Sequence, residues 1–307
     1  MKISIIGAAG NVGSAAAFNI AIHHLTDELV MIDNYSRDKL EQYVYDLNTA
    51  VTGLDMLVRA GSDEDLRDSN IVLMAAGSAQ VTASRMEVLP QNLPIIREVA
   101  EKIKKYCPGT IIITATNPID PLNYAMCRYS GLDRKKIIGY SANDSIRFRM
   151  FITQALSLKS SQVEATVIGE HGNSQVLLFS SIKVKGRPFP INPEIKLQVQ
   201  QQVANLHSII EPQREKTGRT AAWTTSVGLS AVCHAIVHNT REIIPCSVVL
   251  DGEYGCHELS MSVPAVLGNE GVREIQELSI SANERELLHH SISALKPAMK
   301  YVEETII

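Results

Sequence analysis

Two short runs carry the chemistry of this chain. Val167-Ile168-Gly169-Glu170-His171-Gly172-Asn173 sets a histidine beside glycines just past an apolar run, and Asn143-Asp144-Ser145-Ile146-Arg147 upstream supplies a carboxylate and a guanidinium. A histidine is the side chain best suited to carry a proton near neutral pH. Asp144 can hold its second ring nitrogen, and Arg147, one helical turn away, can grip a carboxylate through two parallel hydrogen bonds that lysine cannot reproduce. Arg85 follows an apolar run, Ile71 to Ala75, and closure of the Gly77 to Arg85 loop would bring its cation to a reacting oxygen. A held carboxylate, a proton carrier and a cation for developing oxygen charge suit hydride removal from a 2-hydroxy acid. Taken singly each has a plainer reading: a lone histidine is commonly structural, and Asp-x-x-Arg on a helix is commonly an i,i+3 ion pair.

Hydride transfer calls for a carrier, and the N-terminus has a place for one. Gly7-Ala8-Ala9-Gly10-Asn11-Val12-Gly13 lies where a first strand meets a first helix. Gly7, Gly10, Asn11, Val12 and Gly13 would let a pyrophosphate approach backbone N–H groups at the positive end of that helix. A glycine triplet alone is a weak sign, and the first spacing is G-x-x-G, one residue longer than G-x-G. Asp33, twenty residues past Gly13, closes a second apolar run. A carboxylate there accepts from a ribose diol and repels a 2′-phosphate, which favours NAD over NADP.

The elements that must position these groups alternate in the first half. Lys2 to Ile6, Leu29 to Ile32, Ile71 to Met74 and Ile111 to Thr114 read as strands, with helical periodicity over Asn11 to His23, Arg37 to Asn48 and Leu93 to Tyr106. This predicts an α/β fold, a Rossmann-type doubly wound parallel sheet, over residues 1–141. An α+β substrate-binding and catalytic domain is expected over 142–307. Its expected elements are a helix from Asp144 to Leu158, a strand from Val163 to Ile168, a turn at Gly186-Arg187-Pro188, and helices Pro193 to Glu215 and Ala221 to His238. Strands Ser247 to Leu250 and Leu259 to Val263 and a terminal helix from about Asn283 follow.

A net charge of -4 without a basic run argues against nucleic acid or an anionic membrane as partner. Five scattered cysteines without a C-x-x-C pair read as reduced thiols of a cytoplasmic protein. The apolar stretch from Met1 meets Gly7 too soon for a secretory or membrane segment. His234 and His238 stand i,i+4 but lack a third ligand, so no metal is expected. His23-His24 and His289-His290 are assigned to polar helix faces.

Together with Asn117 in Thr116-Asn117-Pro118-Ile119-Asp120, these residues resemble the lactate/malate dehydrogenase family, most of all its malate-dehydrogenase-like members with a Gly-Ala-Ala-Gly loop. The resemblance runs from Ile3 to Val263-Pro264-Ala265-Val266-Leu267-Gly268. It implies NAD as cofactor, a small 2-hydroxy or 2-oxo acid as substrate, and a homodimer or homotetramer. His171 becomes proton acceptor and donor, Asp144 its partner, Arg147 the substrate-carboxylate clamp, Arg85 the carbonyl-polarising loop residue and Asn117 an oxygen-side donor. Departures bear on the substrate. Ala76 to Arg85 lacks the family's Pro-Gly and is one residue short, leaving Gln80 as the specificity residue where malate-active relatives carry arginine. Opposite it, Thr220 or Ala221 faces the substrate, and Arg219 is either a pocket cation or a solvent-facing residue. Asn143 replaces a usually apolar wall residue. The alternatives are an atypical 2-oxo acid or a catalytically silent NAD-binding regulatory protein.

Overall fold

The computed structural model describes residues 1–78, 85–217 and 221–306, with the side chains of 85, 207–215 and 217 outside that set. Runs of consecutive apolar residues become strands buried on both faces: β1 (Lys2–Ile6), β2 (Glu28–Ile32), β4 (Ile71–Met74), β5 (Ile111–Thr114) and β6 (Ile137–Tyr140), with β3 (Leu57–Gly61) at the edge. The connections are α1 (Asn11–Ile22), α2 (Arg37–Ala50), α3 (Leu89–Tyr106) and α4 (Ile119–Ser130). The parallel strands lie in the order β6-β5-β4-β1-β2-β3, so the winding reverses between β4 and β1. In such sheets ligands bind beyond the carboxyl ends of the strands at that reversal.

The second half contains α5 (Asn143–Ala155), β7 (Val163–Glu164), β8 (Val167–Ile168), β9 (Val176–Leu177), β10 (Lys183–Val184), β11 (Arg187–Pro188), α6 (Pro193–Thr217), α7 (Ala222–Val237), β12 (Ile243–Asp251), β13 (His257–Gly268), β14 (Gly271–Ile275) and α8 (Ala282–Glu304). Strands β12, β13 and β14 join the same sheet antiparallel, β12 pairing with β6 at Cys246 to Tyr140 and Ser247 to Gly139. One large core follows the sheet. A smaller one gathers Phe148, Phe151, Ile152, Val163, Phe179 and Val199 between α5, α6 and the short strands. Phe148 and Phe179 meet edge to face there, ring centres 5.0 Å apart.

Several elements differ from the sequence expectation for physical reasons. Val163 to Ile168 is two strands, because β7 pairs with β10 while β8 turns to pair with β9. Helix α3 begins at Leu89, four residues earlier than expected: Pro90 sits in the first turn, where a missing N–H costs nothing. Helix α5 starts at Asn143, and α1 stops at Ile22, so His24 lies past the helix in a left-handed turn. Helix α4 escapes the periodicity argument because it is buried on nearly every side, Asp120 and Asn123 included. All five cysteines are unpaired. Among the described residues no helix is long and apolar enough to cross a membrane, and no cluster of three metal-ligating side chains occurs.

Candidate active site

The glycine loop follows β1 at the reversal point. Gly7 takes φ +82°, and a Cβ on it would lie 2.5 Å from the Ala76 nitrogen, so only glycine lets β1 and β4 end in contact. A Cβ on Gly13 would come within 2.2 Å of the Gly7 carbonyl. Gly10 precedes Asn11 and Val12, which open α1. Asp33, just past β2, accepts the Ala9 N–H at 3.2 Å and those of Tyr35 and Ser36 at 3.2 and 3.0 Å, which holds its carboxylate beside the loop. A dinucleotide fits this place: a backbone-only cradle at a helix N-terminus, with an acceptor one strand away.

Residues after β5 and β6 form the next part. The Asn117 Oδ1 is buried and makes no hydrogen bond, an acceptor that suits a ligand bringing an N–H or O–H. Asn92 of α3, 3% exposed, ties this segment to the base of the substrate loop: its Oδ1 accepts from the Ser78 N–H at 2.6 Å and its Nδ2 donates to the Asn117 carbonyl at 2.7 Å. Nothing in the sequence singled out Asn92, because its partners are main-chain atoms distant along the chain.

Asp144 stands in the first turn of α5. Its Oδ2 lies 2.6 Å from His171 Nδ1 and its Oδ1 3.5 Å from Arg147 Nη1. The His171 and Asp144 side chains are each 7% exposed. A carboxylate facing Nδ1 favours the tautomer with the proton on that nitrogen. The other guanidinium nitrogens of Arg147 have no hydrogen-bond partner among the described residues. The meeting is engineered by main-chain ties: Ser145 Oγ accepts the Val167 N–H at 2.9 Å, joining α5 to β8. Gly169, at φ +87°, exchanges two 2.9 Å bonds with Ser262 of β13.

A second carboxylate reaches His171 from behind. Asp120 of α4 accepts the His171 main-chain N–H on Oδ2 at 2.7 Å and the Ser247 hydroxyl on Oδ1 at 2.6 Å. Burial pushes its carboxyl up to about 6, against the pull of those two donors. In the sequence Asp120 closes the Thr116 to Asp120 segment, and nothing local marks it for a role.

Asn143 is internally satisfied: it accepts from the Tyr140 hydroxyl and donates to Thr225 Oγ1, both at 2.9 Å. That ties α5 to α7 through side chains. Gly228 of α7 makes room for the Tyr140 ring, whose hydroxyl would lie 1.7 Å from a Cβ. Arg85 opens a 3-10 turn, Arg85–Val88, its side chain outside the described set. Gln80, Arg219 and Thr220 lie outside the described residues. His234 and His238 lie on an exposed face with ring centres 4.5 Å apart and planes tilted by 54°.

A reversal-point dinucleotide cradle joined to a histidine, carboxylate and arginine cluster defines a nicotinamide-dependent oxidoreductase. The family model for the lactate/malate dehydrogenase NAD binding domain matches residues 1–139, and that for the lactate/malate dehydrogenase alpha/beta C-terminal domain matches 143–306. The chain belongs to the lactate/malate dehydrogenase family, is an enzyme of that class and uses NAD. It is 33% identical to a malate dehydrogenase of Halobacterium salinarum, across 96% of this chain and 97% of that protein. It is equally, 33%, identical to an L-lactate dehydrogenase of Bacillus pumilus, across 96% of each. The crystal structure of Cryptosporidium parvum malate dehydrogenase superposes with a TM-score of 0.91 at 28% identity, covering 99% of both chains.

Proposed function

We propose that His171 is the proton acceptor and donor for the reversible interconversion of an L-2-hydroxy acid and its 2-oxo acid. The single observation that carries this is the 2.6 Å contact between His171 Nδ1 and Asp144. NAD, bound through Gly7, Gly10, Asn11, Val12, Gly13 and Asp33, supplies the hydride acceptor or donor. Asp144 orients the imidazole and balances the imidazolium charge, so that Nε2 takes the hydroxyl proton in one direction and returns it in the other. Arg147 grips the substrate carboxylate, its nitrogens without a partner among the described residues supporting that role. Asn117 binds on the oxygen side, and Arg85 polarises the carbonyl. Substrate recognition is assigned to Gln80 together with Thr220 or Ala221.

The chain works as a homodimer or homotetramer. Helices α1 and α7, bonded through Asn19 and Ser226 at 3.0 Å, leave Phe18, Ile22 and Val227 exposed, an apolar face that suits a second copy. A cytoplasmic location accords with five unpaired thiols, four of them buried.

NADH oxidation by the purified protein against oxaloacetate, pyruvate, 2-oxoisocaproate and hydroxypyruvate tests the reading. Turnover with at least one 2-oxo acid is expected; NADH binding without oxidation by any would overturn it in favour of a silent regulatory protein. Preference for oxaloacetate by about 100-fold, about 2.7 kcal/mol of transition-state discrimination, would assign a pocket cation to the distal carboxylate. Preference for a monocarboxylate would assign specificity to Gln80.

A further inference from the structure

Asp120 stands outside the roles above, yet it is 1% exposed and holds the main chain of the residue that moves the proton. A carboxylate buried this deeply carries a desolvation cost that its partners offset only in part. Its two oxygens are both engaged, one by Ser247 of β12 and one by the His171 N–H, and it sits in the first turn of α4, where the helix dipole favours negative charge. Behind it runs a buried polar chain. Ser247 Oγ meets Ser260 Oγ at 2.9 Å, Asn123 Nδ2 donates to Ser260 Oγ at 3.1 Å, and Thr114 donates to Asn123 Oδ1 at 2.8 Å. Gly139 of β6 leaves space for that chain, since a Cβ there would lie 2.8 Å from Ser247 Cβ.

We infer that Asp120 is a positioning residue: its ionised carboxylate anchors the His171 peptide, so that protonation of Asp120 loosens the proton carrier and sets an acidic limit on turnover. This rests on the reading of His171 given above. The titratable groups facing Asp120 are His171 and Glu170 of the loop after β8, His171 favouring its ionised form and Glu170 opposing it. Strand β12 presents the Ser247 hydroxyl to Asp120, with Ser260 of β13 and Asn123 of α4 bonded in turn behind it, while Ser291 of α8 accepts the Glu170 N–H at 2.7 Å. Burial raises the Asp120 carboxyl to about 6, within the range where an enzyme assay reads it. Reduction of a 2-oxo acid needs the proton donor held in place, so a limit set by Asp120 falls on the acid side of the profile.

The test is kcat/KM for 2-oxo acid reduction from about pH 5 to about pH 8 in the wild type, Asp120→Asn and Ser247→Ala. The wild type is expected to fall below about pH 6. Asp120→Asn, which cannot titrate, should lose that limb and drop about tenfold at neutral pH, as a charge-assisted hydrogen bond becomes a neutral one, with NADH affinity unchanged. Ser247→Ala removes a donor to the ionised form and should move the limb to higher pH. A merely structural role would lower rates without moving the acid limb. An acid limb in the same place in both variants would overturn the inference. His171→Asn, measured alongside, separates the two ideas: if it abolishes turnover while Asp120→Asn leaves the profile untouched, only the role of Asp120 fails.

Discussion

Replacing His171 by asparagine is expected to lower kcat by about 10³-fold while NADH binding, followed by fluorescence titration, stays within about twofold of wild type. The reasoning is local. Asparagine can still donate to Asp144, so the 7%-exposed carboxylate keeps a partner and the loop keeps its main-chain ties to Asp120 and Ser262. What disappears is a group that can take a proton at one step and return it at another. The dinucleotide cradle is built from β1, α1 and Asp33 and contains nothing from the His171 loop, so cofactor affinity has no reason to change. Residual turnover within about tenfold of wild type would remove His171 from the reaction.

Arg147→Lys should reduce kcat/KM for a 2-oxo acid by roughly 100-fold or more, about 3 kcal/mol, with most of the loss in KM. Charge is conserved in this substitution and geometry is not. Arg147 reaches Asp144 with one nitrogen at 3.5 Å, and a planar guanidinium can form a pair of parallel bonds to a carboxylate with its others. Lysine offers a compact ammonium that pairs more readily with Asp144 itself. Steady-state kinetics with pyruvate and oxaloacetate checks this, and a kcat/KM within about threefold of wild type would show that the clamp lies elsewhere.

Those residues were legible because their signals are local. The strand, glycine turn and helix around Gly7 to Gly13 lie within one stretch of chain, as do the three-residue spacing of Asp144 and Arg147 and the glycines beside His171. Asp120 and Asn92 were not legible for the opposite reason. Each bonds main-chain N–H or carbonyl groups of residues 51 and 14 or 25 positions away, and a backbone partner leaves no mark on residue type. The same holds for elements: β4 is an all-apolar run and β5 nearly so, whereas α4 buries Asp120, Asn123 and Ser130 among its apolar residues and so shows no clear stripe. Val163 to Ile168 has continuous strand character, and only the separate pairings with β10 and β9 reveal a break.

The buried Asp120 also has a thermodynamic consequence. Its carboxyl sits at about 6 in the folded protein against an ordinary 3.8, so the folded state holds on to a proton that the unfolded chain releases. Below pH 3.8 the group is neutral in both states and imposes nothing. As pH climbs to about 6 the folded state loses ground, and above that it carries a constant penalty on the order of 3 kcal/mol. Asp120→Asn can still accept from the His171 N–H while donating its amide to Ser247, and it is expected to melt at a higher temperature than wild type above about pH 6, the advantage fading in acid. A wild-type melting temperature equal to or above that of the variant at neutral pH would contradict this. The residue that steadies the proton carrier would then be one that the fold tolerates at neutral pH against its own stability.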